Sequence, residues 1–419
     1  MAAPATKYLK MSFMSPKSKM IPEKQFDPPA PPPVVKIPHL SNELLARIVD
    51  FLQDDVRTLK SCSLTSHRFL SFSRRKLFNT VHLNLRNCQK FTKILETSPG
   101  VGPAVRELHV TVSAHESPPW VDNRLFSISE KLPNVAALYL KGKAIFTAAP
   151  ILGFRALRSI HFLGCELDST RTFFTLIGSF PGMETMYANE MVVYRESDAL
   201  MEQFSLPHDR RAKKFKSMSF NSCRMDADRF AEFFVESGYN KTLDYFATCP
   251  LQETALPAVG AILKACGPRL KHYKFALVGM EEQGGYVEPL KRHYDLAQNT
   301  GLLTLELCSP AAYARLYGAD DLSFAWWPAL LAQVASPYIE ELGFYLWEDD
   351  LPQLASPPWD DIVRLVGQPQ FESLKRLAFH VWGAEPAAGK IAAAVRRKFA
   401  EFDARGVLLI DSKPDPACV

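Results

Sequence analysis

The chain has 419 residues, 47% of them hydrophobic and 28 of them Phe, enough for a large core in two or three domains or in one elongated repeat domain. Its formal net charge of +4 is spread along the sequence, which leaves no electrostatic footprint for a nucleic-acid partner. No run of about eighteen apolar residues occurs, so no membrane partner is expected, and the first twenty residues lack the apolar stretch of a secretory signal.

Eight cysteines, at positions 62, 88, 165, 223, 249, 266, 308 and 418, stand singly, with no CxxC pair and no His at zinc-ligand spacing. Scattered thiols fit a reducing compartment, so the expected location is the cytoplasm, the nucleus or both. No disulfide, metal or cofactor is expected.

Residues 1–36 are polar and end in DPPAPPPVV, which favours an extended, disordered segment over a helix. It reads as a stiff spacer, with a docking site for a proline-reading domain as the alternative. In residues 37–85, Ser41 or Asn42 can cap a helix along which Leu44, Leu45, Ile48, Val49 and Leu52 draw one apolar stripe. Asp54 and Asp55 open a second short helix with Val56 and Leu59, and Leu64, Phe69, Leu70 and Phe72 suggest a third. So short a stretch cannot hide three apolar faces within itself. Either a partner or the rest of the chain has to cover them.

This stretch resembles an F-box, the helical module by which substrate receptors dock on the Skp-type adaptor of Skp–cullin–F-box ubiquitin ligases. Leu40, Glu43, Leu44, Ile48 and Leu52 match the family pattern, with Pro38 slightly displaced; Ser41 stands where the family has Pro, and Ser66 and Phe69 stand where it favours Cys and Trp. The resemblance is to F-box proteins of filamentous and mushroom-forming fungi, whose box runs on into a similar "DD…L…CSL…LF.TV.L" stretch. It covers about fifty residues. It implies an adaptor-binding set of Pro38, Leu40, Glu43, Leu44, Leu45, Ile48, Leu52, Leu59, Leu64 and Phe69, and through the adaptor a cullin.

Beyond residue 85 a short apolar-x-apolar step recurs: VRELHV (105–110), VAALYL (135–140), LRSIHF (157–162), METMYA (183–188), FKSMSF (215–220), LDYFAT (243–248), LKHYKF (270–275), LLTLEL (302–307), IEELGFYL (339–346), LKRLAFHV (374–381) and VLLI (407–410). Alternation of this kind predicts half-buried strands. Helical runs lie between them, including 226–238, 253–267 and 389–402. Taking Leu108, Leu138, Ile160, Met186, Met218, Phe246, Tyr273, Leu305, Leu342, Leu377 and Leu408 as equivalent, successive spacings run from 22 to 37 residues. Two units share Cys165 or Cys223, Asp168 or Asp226, and Arg171 or Arg229 at the same offsets. The pattern resembles the leucine-rich repeat, whose Asn or Cys sits in the bend after the strand. The fold class expected is therefore α/β: a short all-α F-box (37–85), then an irregular leucine-rich-repeat solenoid of alternating strands and helices (86–411), and a flexible tail (412–419). A doubly wound α/β domain is the alternative, though no Gly-rich phosphate loop follows an early strand.

No G-x-S-x-G, P-loop, HExxH or G-x-G-x-x-G occurs, so no catalytic residue is assigned. The acid pairs Asp54–Asp55, Asp320–Asp321, Asp349–Asp350 and Asp360–Asp361 each precede an apolar run and read as helix-start electrostatics. In a repeat strand the alternate positions line the concave sheet. Among these, Tyr139, Lys141, His161, Tyr187, Lys274, Tyr345, Trp347, His380 and Trp382 form the expected binding set for an unknown protein substrate, since aromatic residues dominate recognition surfaces. The expected function is a non-catalytic substrate-recognition subunit of a ubiquitin ligase. A repeat scaffold acting outside a ligase and an α/β enzyme assembled from scattered repeats are the alternatives.

Overall fold

The computed structural model describes residues 40–113, 124–195, 214–278, 287–309, 324–355 and 358–413. The proline-rich segment 1–36, Pro38, Asp320–Asp321, and the tail from residue 414 with Cys418 lie outside the described residues.

Three short helices open the described chain: α1 (Asn42–Phe51), α2 (Val56–Thr65) and α3 (His67–Leu77). Each begins where a side chain satisfies a free backbone N–H. Ser41 accepts from Leu44 N at 3.3 Å, Asp55 from Thr58 N at 3.0 Å and Ser66 from Phe69 N at 3.3 Å. Lys76 pairs with Asp50 at 2.8 Å, and the Arg68 guanidinium donates to Leu40 O, also at 2.8 Å, so α3 holds both ends of α1.

The remainder is built on strands β1 (Thr80–Leu83), β2 (Glu107–Thr111), β3 (Ala137–Lys141), β4 (Ile145–Phe146), β5 (Ser159–Leu163), β6 (Glu166–Leu167), β7 (Thr185–Asn189), β8 (Val192–Val193), β9 (Ser217–Asn221), β10 (Tyr245–Gln252), β11 (His272–Val278), β12 (Thr304–Cys308), β13 (Glu341–Trp347), β14 (Arg376–Trp382) and β15 (Leu408–Lys413). Twelve of them form one sheet in the order β1-β2-β3-β5-β7-β9-β10-β11-β12-β13-β14-β15, and β4, β6 and β8 form a second. Every pairing in the main sheet is parallel, and its strand order follows the chain without reversal. A doubly wound domain would reverse at a switch point. This chain is an α/β solenoid of the leucine-rich-repeat kind, in which each strand pairs with the strands of the units before and after it.

All eleven positions taken as equivalent in the sequence are register partners, from Leu108 opposite Leu138 through to Leu377 opposite Leu408, with Val81 added at the start. β1 is the strand that the repeat pattern does not count; it lies inside the 37–85 stretch. Leu108, Val110, Leu138, Leu140, Ile160, Phe162 and Met186 are buried on the helix-bearing face, each such side chain contributing roughly 1.5–3 kcal/mol. Helices Ala227–Glu236, Leu256–Cys266 and Glu385–Lys398 stand where the helical runs were read. Their Phe230, Phe233, Phe234, Leu263 and Ile391 join the same core.

Four successive units turn at the same place. Gly142, Gly164, Glu190 and Ser222 directly follow β3, β5, β7 and β9, and all have positive φ. Their N–H groups donate to the next strand: Gly142 to Leu163 O at 2.9 Å, and Gly164, Glu190 and Ser222 to Asn189 O, Asn221 O and Cys249 O at 2.8 Å each. At Gly142 a side chain would also collide with Val112 O, so glycine is required there twice over. Just beyond, Cys165 donates to Leu140 O at 3.0 Å, and Cys223 to Asn221 O at 3.3 Å. Both thiols are free, and burial pushes both up to about 12. These two cysteines satisfy backbone carbonyls in the bend, the part the repeat pattern gives them.

One acid pair needs correction. Asp350 does not merely start a helix: it is buried, accepting from Ser309 Oγ at 2.6 Å and from Trp347 N at 2.7 Å. It thereby fastens the carboxyl ends of β12 and β13 to the turn that follows them.

Candidate interaction faces

Among the described residues the helices pack on one face of the main sheet, and the parallel register sorts the side chains of the other face into rows. One row runs His82, His109, Tyr139, His161, Tyr187, Ser219, Ala247, Lys274, Glu306, Gly343, Ala378 and Leu409. Neighbouring strands sit about 4.8 Å apart, close to the spacing at which planar rings stack. The first five residues accordingly form a continuous ring ladder. Centroid separations are 4.4 Å for His82–His109, 4.2 Å for His109–Tyr139, 4.1 Å for Tyr139–His161 and 5.8 Å for His161–Tyr187. Glu107 holds His109 Nε2 at 2.6 Å, and Ser159 Oγ is 2.8 Å from His161 Nε2. Burial lowers the pKa of His161, with the nearby Glu107 opposing that shift, and burial raises Tyr139 and Tyr187.

Past the small residues Ser219 and Ala247 the face becomes charged. Lys274 Nζ lies 3.3 Å from Glu306 Oε2 and 3.5 Å above the Tyr345 ring, while the Tyr345 hydroxyl donates to Glu306 at 3.1 Å. Burial works against the Lys274 ammonium, but Cys308, Glu306, Tyr345 and Cys249 around it outweigh burial and hold it above the usual lysine value. Burial pushes Tyr345 up to about 12. His380 stacks on Tyr345 at 4.6 Å and lies 3.6 Å from Asp411. One row further on, Trp347 and Trp382 are register partners with centroids 6.4 Å apart.

The structure therefore divides the expected substrate-binding set. Tyr139, His161 and Tyr187 share the ring ladder; Lys274, Tyr345 and His380 share the charged half; Trp347 and Trp382 form a pair of their own. Lys141 stands exposed at the end of β3, one row above the ladder. His82 extends the ladder although its strand lies in the helical stretch. Tyr245, Cys249 and Cys308 also face this half; alternation with the core positions Phe246, Leu305 and Leu307 puts them there, although none was in the expected set.

At the other end of the chain, the helical stripe splits. Leu45 and Val49 of α1 and Leu59 of α2 are buried, so Leu45 and Leu59 hold the helices together and cannot serve as surface contacts. Leu52 and Phe69 are half-buried. Leu40, Leu44, Ile48 and Leu64 are exposed, and so are Phe51 and Val56, which were not in the expected set; Phe51 is 90% and Leu64 87% accessible. Leu44, Ile48 and Phe51 stand at i, i+4 and i+7, one face of the helix, and Glu43 is exposed beside them.

A cavity of about 470 Å³ lies at the carboxyl ends of β9 and β10, walled by Phe220, Phe230, Phe246 and Ile262. Two acids line it, Asp226 and Asp228; Asp226 caps the helix that follows, accepting from Arg229 N at 3.1 Å, and pairs with Arg195 at 3.2 Å. Among the described residues no group of three or more His, Cys, Asp or Glu could hold a metal ion, and no helix is long and apolar enough to cross a membrane.

No protein-family model matches the chain, and comparison with curated proteins finds no match. Among solved structures, the chain is similar to an internalin (inlF) from Listeria monocytogenes str. 4b F2365, at 12% sequence identity and a TM-score of 0.33, over 78% of this chain and 89% of that one.

Proposed function

We propose that this protein is a substrate receptor of a Skp–cullin–F-box ubiquitin ligase, docking the adaptor through its N-terminal helices and the target protein through the open face of the sheet. It contributes binding and no chemistry, and works in the cytoplasm or nucleus. The observation that carries the reading is the apolar face of Leu44, Ile48 and Phe51, left exposed on a helical module held together by the buried Leu45, Val49 and Leu59. An exposed apolar face ahead of a recognition solenoid is what an adaptor-docking module requires. The ring ladder supports the second half, because rigid aromatic side chains supply contact area at small entropic cost.

The test is co-purification of the tagged chain with a Skp-type adaptor and cullin. Leu44→Asp and Ile48→Asp each place an unpaired charge in the contact and should abolish capture. Adaptor capture that persists in both variants, shown to be folded by circular dichroism, would refute the docking half of the proposal.

A further inference from the structure

Cys249 of β10 and Cys308 of β12 form a buried thiol pair apart from the main core. Their sulfurs are 3.9 Å apart, with Cys249 donating to Cys308. They are 4% and 1% accessible, meet over Ala276 of the intervening β11, and are covered on the open face by Tyr345. The methyl group of Ala276 leaves room for two residues separated by a whole strand to touch. Lys274 Nζ lies 3.5 Å over the ring of Tyr345, the residue that covers the pair.

We propose that Cys249 and Cys308 bind one soft monovalent ion, cuprous copper, as a two-coordinate bis-thiolate site. A disulfide does not suit the pair. Both thiols are free, and their strands β10 and β12 are separated by β11. A single ion with metal–sulfur bonds of about 2.3 Å, the zinc–thiolate length, holds two sulfurs about 4.6 Å apart when linear. From the observed 3.9 Å the thiols would part by roughly 0.7 Å to admit it. Zinc needs about four donors, and among the described residues no third His, Cys, Asp or Glu joins the pair. Thiolates select cuprous copper among ions that accept few ligands.

Binding breaks two S–H bonds, forms two Cu–S bonds and releases two protons to solvent; copper enters and stays cuprous, so no electron moves. The complex carries one negative charge. Lys274 offsets it, and Glu306 keeps a donor in the Tyr345 hydroxyl when the ammonium turns toward sulfur.

The test is an anaerobic titration of the reduced full-length chain with cuprous ion against a colorimetric cuprous chelator. The site predicts one ion retained per chain, lost in Cys249→Ser and in Cys308→Ser and kept in Cys62→Ser. Lys274→Met should weaken retention about tenfold or more. On the parent chain, where variant folding does not enter, X-ray absorption of the retained copper should show two sulfur neighbours and no nitrogen or oxygen donor. Absence of retained copper, retention by both serine variants, a nitrogen or oxygen donor on the copper, or tighter retention of zinc than of cuprous ion would each overturn the site.

Discussion

The rings of His109 and Tyr139 lie 1° from parallel with centroids 4.2 Å apart. They come from adjacent parallel strands, in register, on the face opposite the core helices of the described residues. Strand spacing therefore sets the stacking, and the same spacing extends it to five rings. A ladder built this way adds little to the core but offers a rigid, amphipathic surface of the kind that partners recognise.

Tyr139→Ala should thus behave unlike a core truncation. Each stacked pair is worth about 0.5–1.5 kcal/mol, so losing its two neighbours costs at most about 1–3 kcal/mol, less where the rings stay hydrated. Phe162→Ala, in the buried core of the next strand, should cost about 3–5 kcal/mol. Thermal melts of the two variants check the order: the tyrosine variant should melt closer to the parent.

The ladder also predicts an acid-sensitive contribution from His161, which faces Tyr139, Tyr187, Ser159, His109 and Glu107. Its folded pKa is lowered, chiefly by burial, while an unfolded histidine titrates near about 6.5. Below that value the unfolded chain takes up the proton more readily than the folded one. The contribution is therefore complete above about pH 6.5 and is lost as pH falls through the lower folded value. Melting temperature followed from pH 8 to pH 5 should fall more in the parent than in His161→Gln.

Much of this architecture is legible from the sequence because a strand of alternating apolar residues declares its own buried side. That is why Leu108, Ile160, Tyr273 and Leu377 could be aligned before any pairing was known. The rows are harder to read: they depend on register between units 22 to 37 residues apart, and nothing within Leu305–Cys308 reveals that Cys308 meets Cys249. The two-residue strands β4, β6 and β8 are too short to show a period. On α1 the stripe is wide enough to have two edges, and sequence cannot tell that Leu45 turns inward while Leu44 stays out. His82 escaped because β1 follows a helical module without a repeat of its own before it.

The bend residues give a stabilisation test. Ser222 is held in the left-handed region, which costs a non-glycine residue roughly 1–2 kcal/mol. Glycine removes that strain but loses more entropy on folding. Ser222→Gly should therefore be neutral to stabilising by about 1 kcal/mol, whereas Gly142→Ala should destabilise strongly, because its new side chain would meet Val112 O. Chemical denaturation of both variants distinguishes the two outcomes.

Cys165 should tolerate polarity better than bulk. Its thiol donates to Leu140 O at 3.0 Å in a fully buried bend, and serine keeps both size and donor. Leucine both removes the donor and overpacks the site, at about 1–3 kcal/mol. Cys165→Ser should melt within a few degrees of the parent and Cys165→Leu well below it.

The two-surface account is tested most directly by a paired capture experiment in cell extract, with the parent chain, Leu44→Asp, and a Tyr139→Ala, Tyr187→Ala double variant compared side by side. Proteins bound by the parent are identified by mass spectrometry, and a thermal melt accompanies each variant. Damage to the helical face should remove the Skp-type adaptor and cullin while leaving the other captured proteins. Damage to the ring ladder should do the reverse, with the adaptor retained and the chain still folded at the temperature of capture. If the double tyrosine variant, still folded, loses the adaptor, or if Leu44→Asp keeps it, the division of labour between helices and sheet is contradicted.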